Sequence, residues 1–191
     1  MHRYSCICTT AADALLLFLF SHSPSAQNQR ANEQATLPAT LGLEHGYLEF
    51  DTPDFKLKLV KSSQTIAALQ PRRTAGFDFT PADRLERRAA NGFHHLGDIT
   101  FRIRTDSNGA WRDYDTAQTR QPVHALAVSA NVLAAADLSP TLPADLPLQI
   151  TRSWILDSDR LVLRFELRNR TTNAEQIGAL TLPVIFNNLL M

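Results

Sequence analysis

The stretch from residue 148 to residue 186 constrains the fold of this chain more than any other part of the sequence. Its centre alternates apolar residues with polar or charged ones, and the apolar set is Leu161, Leu163, Phe165 and Leu167. A period of two is typical of a half-buried β-strand. Two further strands are predicted beside it, at residues 148–156 and 176–186. The polar turns between the three strands favour an antiparallel meander.

The upstream sequence carries further strand patterns and one helix pattern. Strands are predicted at residues 43–50, 55–61, 65–69, 99–104, 111–114 and 123–136. A short helix is predicted over 81–90, because Thr80 is a suitable N-cap, Pro81 suits the first helical position and Gly92 suits the end. Residues 137–147 contain three prolines and predict a rigid extended loop. Together these patterns predict a mainly β chain with one short helix.

Length and charge limit the possible functions. At 191 residues the chain has room for one domain with a sizeable core. Its 19 basic and 19 acidic residues give a formal net charge of zero. This balance argues against broad electrostatic binding to nucleic acid or to an anionic membrane.

Residues 1–26 are predicted to be a secretory signal peptide, which implies an extracellular protein. They combine a weakly positive start, an apolar segment at 14–20 and small residues before Ala26, the predicted last residue of the peptide. The apolar segment is shorter than the ~20 residues that a membrane-spanning helix needs. The alternative is an uncleaved tail. Both cysteines, Cys6 and Cys8, lie in this leader, so the mature chain would contain none. Residues 27–40 predict a flexible linker, and 41–191 a β-sandwich domain.

No familiar catalytic or metal-binding motif stands out in the predicted mature chain. His94, His95 and Asp98 form a metal candidate, but adjacent residues on an extended chain point apart, so no metal site is predicted. The close acidic pairs are at turn or cap positions, where aspartate bonds to the backbone. We predict no cofactor.

Aromatic residues suggest where a sugar could bind, since flat rings stack on sugar faces. Trp111 and Tyr114 have polar neighbours and are predicted to be exposed. Trp154 shares a strand face with apolar residues, which predicts a core position. Arg152 lies on that same face, a conflict that a bulge or stacking on Trp154 would resolve. The sequon at Asn169 falls in a predicted turn and is a candidate glycosylation site.

Several segments resemble the amino-terminal region of a family of large secreted fungal proteins of unknown function. They are LVKSSQT (59–65), FDFTP (77–81), HLGD (95–98), VLAAADL (132–138), TRSW (151–154), IGAL (177–180) and FNN (186–188). Members of that family look like glycoside hydrolases with a galactose-mutarotase-like β-supersandwich followed by an (α/α) toroid. The resemblance covers residues 43–190. It implies an antiparallel β-sandwich as the fold class.

The chain departs from that family where it stops. Family members continue for several hundred residues beyond the position of Met191, and the acid and base of related glycosidases lie mainly on the toroid. The resemblance therefore implies a truncated, incomplete sandwich that is not an enzyme on its own, with an unpaired sheet edge near residues 184–186. It also implies association with a missing carboxy-terminal helical domain.

The resulting functional hypothesis is a non-catalytic, secreted domain of a glycoside-hydrolase-like protein that binds carbohydrate or acts as a scaffold. Trp111 and Tyr114 are the candidates for stacking on an oligosaccharide or polysaccharide, and His95 and Asp98 for hydrogen bonds to its hydroxyl groups. One alternative is a standalone carbohydrate-binding or structural module. Another is a small carbohydrate-active enzyme that uses His95 and Asp98.

Overall fold

The computed structural model describes residues 42–80, 85, 94–105, 108–119, 122–184 and 186. Ten β-strands lie within these residues, and all of them pair antiparallel. Their bounds are β1 Tyr47–Asp51, β2 Phe55–Val60, β3 Ile66–Pro71, β4 Thr100–Arg104, β5 Arg112–Asp115, β6 His124–Ala125, β7 Val132–Asp137, β8 Leu148–Asp157, β9 Arg160–Asn169 and β10 Gln176–Thr181. Short helical segments occur at Leu43–His45, Thr116–Thr119 (α1) and Ser139–Thr141. The predicted mainly β fold is confirmed.

The strands form three sheets. Two have three strands, in the orders β1-β2-β3 and β10-β4-β5, and the third has four, in the order β6-β7-β8-β9. One face of the four-stranded sheet packs against both smaller sheets, as the buried side of β8 shows. Its Leu148 and Ile150 share a core cluster with Phe101 of β4. Its Trp154 shares a second cluster with Leu57 of β2. The arrangement is that of a sandwich.

The predicted meander is correct for its first two strands and wrong for the third. β8 and β9 form a regular hairpin around Ser158, which has a positive φ of 60°. β10 does not continue from β9; it pairs with β4 in another sheet. The connector 170–175 is longer than a tight hairpin loop, so the chain can cross between layers. Pairing with β4 places Ile177 opposite Ile103.

Three other predictions are corrected in detail. Residues 43–45 are helical, so the first strand begins only at Tyr47. The predicted strand 123–136 is two strands, because a turn closed by a 3.0 Å hydrogen bond from Val132 N–H to Ser129 O interrupts it. The proline-rich loop contains a helical turn and contributes Leu142 and Leu146 to the core.

Several predictions fall on residues outside the described ranges. The signal peptide and linker, residues 1–40, lie outside them, as does the predicted helix 81–90 apart from Leu85. Leu85 is helical and buried. Across the described residues, no helix has both the length and the apolar character to span a bilayer.

Candidate functional site

A cleft of about 340 Å³ opens where the β4–β5 hairpin meets two connectors. The end of β4 and the start of β5 form one side, because the antiparallel pairing places Ile103 opposite Arg112. The connector before β8 and the connector before β10 form the other side. The lining side chains used below are Arg104, Thr105, Arg112, Tyr114, Asp145, Thr171, Asn173 and Glu175.

The formal charges in this cleft balance, with two arginines and two carboxylates in its lining. Nη2 of Arg112 donates to Oδ2 of Asp145 at 2.6 Å, and this hydrogen bond lowers the pKa of Asp145. Oγ1 of Thr105 donates to Oε2 of Glu175 at 3.0 Å. The cleft therefore offers hydrogen-bond donors and acceptors without a net formal charge.

Tyr114 brings a buried polar atom to the cleft. Its ring stacks on Phe101, with 5.2 Å between the ring centroids and 11° between the planes, and its side chain is 4% exposed. Burial raises the pKa of Tyr114, although the nearby Arg112 opposes the shift. Among the described residues, neither the Tyr114 hydroxyl nor Oε1 of Glu175 has a hydrogen-bond partner. A buried polar atom without a hydrogen bond is costly, so a ligand group that reaches this hydroxyl and this carboxylate oxygen gains two hydrogen bonds.

Trp111 lies beside this cleft, on the outer side of the β10-β4-β5 sheet. Its ring is so close to Gly178 that a Cβ there would come within 2.6 Å of it. The guanidinium of Arg104, which also lines the cleft, lies over the ring at 4.6 Å from the centroid. Trp111 is 38% exposed, so of the four predicted sugar-binding residues it alone presents an exposed ring.

His95 and Asp98 lie elsewhere and are buried, at 2% and 3% exposure. The backbone N–H of His95 donates to Oδ2 of Asp98 at 2.6 Å, and Oγ1 of Thr116 donates to Oδ1 of Asp98 at 3.0 Å. These bonds hold the tight turn before β4. Asp98 lines a separate small cavity with Arg152. The structure therefore places the Tyr114 hydroxyl in the cleft and Trp111 beside the cleft, whereas His95 and Asp98 lie at a separate turn.

Arg152 shares the inner face of β8 with Trp154 and is 1% exposed. Its guanidinium donates to the backbone carbonyls of Gly97, at 2.5 Å, and Ser63. Burial lowers its pKa to about 10, against the attraction of Asp98. These carbonyl bonds account for an arginine on a core-facing position. The predicted core position of Trp154 is confirmed.

The sequon residue Asn169 stands at the start of the connector that lines the cleft. Its Oδ1 accepts from the Thr171 N–H at 2.8 Å, and its Nδ2 donates to Asn173 O at 2.7 Å. Asn169 is exposed. Glycosylation there remains a prediction.

Sequence reasoning missed most of the cleft, including Arg104, Arg112, Asp145 and Glu175. These residues come from separate segments, and none belongs to a recognised motif. One signal was present. Arg112 is two residues before Tyr114, so both side chains point to the same side of β5.

A model of a protein family supplies the first comparison with known proteins. The model, described as "Family of unknown function (DUF5695)", matches residues 58–191. Comparisons with curated proteins and with solved structures gave no match.

Proposed function

The chain belongs to this family of unknown function, and we propose that its β-sandwich is a non-catalytic carbohydrate-binding domain of a secreted protein. The observation that supports this proposal is the pair of buried polar atoms in the cleft, the hydroxyl of Tyr114 and Oε1 of Glu175. A sugar hydroxyl both donates and accepts hydrogen bonds. It can therefore donate to Glu175 and accept from Tyr114 in one binding mode.

The balance of charge in the cleft favours a neutral ligand. A phosphate or sulfate would approach Asp145 and Glu175, and a cation would approach the two arginines, so either would meet like charges. A neutral polyol meets no such repulsion. The volume also lies within the range of roughly 300–1,000 Å³ that is common for small-molecule sites.

The wider setting of the proposal rests on sequence resemblance. From the resemblance of the segments quoted above, we propose a fungal source, a relation to glycoside hydrolases and association with a carboxy-terminal helical domain. On this proposal the sandwich presents a carbohydrate to a larger protein, and no residue of the cleft is assigned a catalytic role.

The test is a glycan-array screen of the purified chain followed by calorimetric titration of each glycan that binds. Tyr114→Phe removes a buried hydrogen bond to the ligand, and Glu175→Gln replaces a charged acceptor by a weaker neutral one. Each is expected to weaken binding about tenfold, which corresponds to about 1.4 kcal/mol. Trp111→Ala tests the stacking role of the exposed ring.

Tyr47→Phe and Glu49→Gln are matched controls, since they make the same chemical changes on β1, in another sheet. They are expected to leave the affinity unchanged. Absence of binding to any glycan would overturn the proposal, and so would full affinity in both cleft variants. Release of cleaved sugar from a bound glycan would overturn the non-catalytic assignment.

A further inference from the structure

β9 is an edge strand with an unusually regular free side. It pairs with β8 over all ten of its residues without a shift in register. Within the described part of the chain, no strand pairs with its other side. An edge of this length exposes a row of backbone N–H and C=O groups that another strand can bind.

The side chains of β9 divide by face. The inward face is apolar and half-buried, with Leu161, Leu163, Phe165 and Leu167. The outward face carries Arg160, Val162, Arg164, Glu166 and Arg168. β9 contains no proline, bulge or inward-pointing charge, three of the devices that block pairing at an edge. From Arg164 to Arg168 the charges on this face alternate in sign, so a second strand with the same sequence can place opposite charges against them.

We propose that β9 pairs antiparallel with β9 of a second copy of this chain, about a two-fold axis at Phe165. This register places Arg164 of each copy opposite Glu166 of the other, which gives two ion pairs across the interface. On the inward face it places Leu163 opposite Leu167, and Phe165 opposite itself. Such cross-strand pairs are the unit of sheet stabilisation.

The charges also exclude the neighbouring registers. An axis at Arg164 would place the two Arg164 side chains opposite each other. An axis at Glu166 would oppose the two Glu166 carboxylates and bring Arg164 opposite Arg168. Like charges in directly opposed positions destabilise a strand pair. The register at Phe165 therefore combines opposite charges with the greatest overlap of the strand, and it joins the two four-stranded sheets into one.

The experiment is sedimentation velocity of the full chain over a range of concentrations, with a reducing agent present. The wild type is expected to show a concentration-dependent dimer. Glu166→Arg would face Arg164 of the second copy and should raise the dissociation constant at least tenfold. The exchange of both charges, Arg164→Glu with Glu166→Arg, restores opposite pairs and should return the dissociation constant to within about threefold of the wild type.

Asp159→Arg is the matched control, because it makes the same change of charge in the β8–β9 turn, outside the paired residues. It should leave the dimer unchanged. Val162→Arg is a second disruptive variant, since Val162 would face Arg168 of the second copy; circular dichroism confirms that each variant is folded. A monomer at every concentration overturns the proposal, as does a dimer that Glu166→Arg leaves intact or that the double exchange fails to restore.

Discussion

The indole N–H of Trp154 donates to the backbone carbonyl of Gln64 at 2.8 Å. Gln64 and Ser63 belong to the turn between β2 and β3, whereas Gly97 belongs to the turn before β4. Arg152, two residues before Trp154, donates to the carbonyls of both Ser63 and Gly97. β8 therefore binds both turns through the side chains of Arg152 and Trp154. We expect the free energy of unfolding to be most sensitive to substitutions at these contacts.

Gly97→Ala is expected to destabilise the protein by about 3 kcal/mol. Gly97 has a φ of 111°, and an added Cβ would lie 3.0 Å from Cζ2 of Trp154 and 3.4 Å from Nη1 of Arg152. Gly76→Ala is the control, because Gly76 has a φ of 76° but open space around its Cβ direction. It should cost only about 1 kcal/mol. Urea unfolding measures both, and equal losses would contradict a packing role for Gly97.

Arg152→Met is expected to cost about 3–5 kcal/mol in free energy of unfolding. The substitution keeps most of the volume but leaves the carbonyls of Ser63 and Gly97 without their donor and Asp98 without a nearby positive charge. Arg160→Met, at a side chain that is 75% exposed, should change stability by less than about 0.5 kcal/mol. If chemical denaturation finds the two variants equally stable, the guanidinium contributes nothing net at its buried position.

Stability at alkaline pH should depend on Tyr114. Burial raises its pKa in the folded state, so its contribution is fully present below the unfolded pKa near 10 and is lost as pH rises through the folded pKa. The stability difference between wild type and Tyr114→Phe should therefore shift against the wild type above pH 10, by up to about 1.4 kcal/mol per pH unit. Denaturant unfolding at several pH values between 8 and 11 measures it.

The hydroxyl-deletion control for this experiment is Tyr47→Phe, at a side chain that is 40% exposed. Its difference from the wild type over the same range is the baseline with which the Tyr114→Phe difference is compared. A Tyr114→Phe difference that is also constant with pH would show that ionisation of Tyr114 is not coupled to unfolding.

The sequence predicted local structure well, because local structure depends on patterns within single segments. The inward set Ile99, Phe101 and Ile103 follows directly from the period of two, and all three are buried. The same pattern could not choose the partner of β10. Ile177 and Leu180 of β10 are exposed, so they do not specify which strand β10 pairs with. Its pairing with β4 depends on how distant segments of the chain pack.

The cleft was harder to predict than the fold. Tyr114 was selected as an exposed aromatic ring, whereas its ring is in the core and only its hydroxyl matters to the cleft. Glu175 had no signal at all, because it lies in a polar connector whose position depends on the crossing to β4. His95 and Asp98 were selected for their chemistry, and their burial shows that a turn can require the same residue types as a binding site.

The contact between Gly178 and Trp111 gives a prediction for the rim of the cleft. A methyl group at Gly178 would lie 2.6 Å from two ring atoms of Trp111. Because this ring is partly exposed, it should move outward while the sheet stays in place, so Gly178→Ala should cost less than about 1 kcal/mol. Acrylamide quenching of tryptophan fluorescence should increase, because the ring of Trp111 becomes more exposed. The signal reports on Trp111, since the other tryptophan, Trp154, is only 1% exposed. In a Trp111→Phe background the same substitution should leave quenching unchanged; an increase there would mean that the sheet around Trp154 had opened instead.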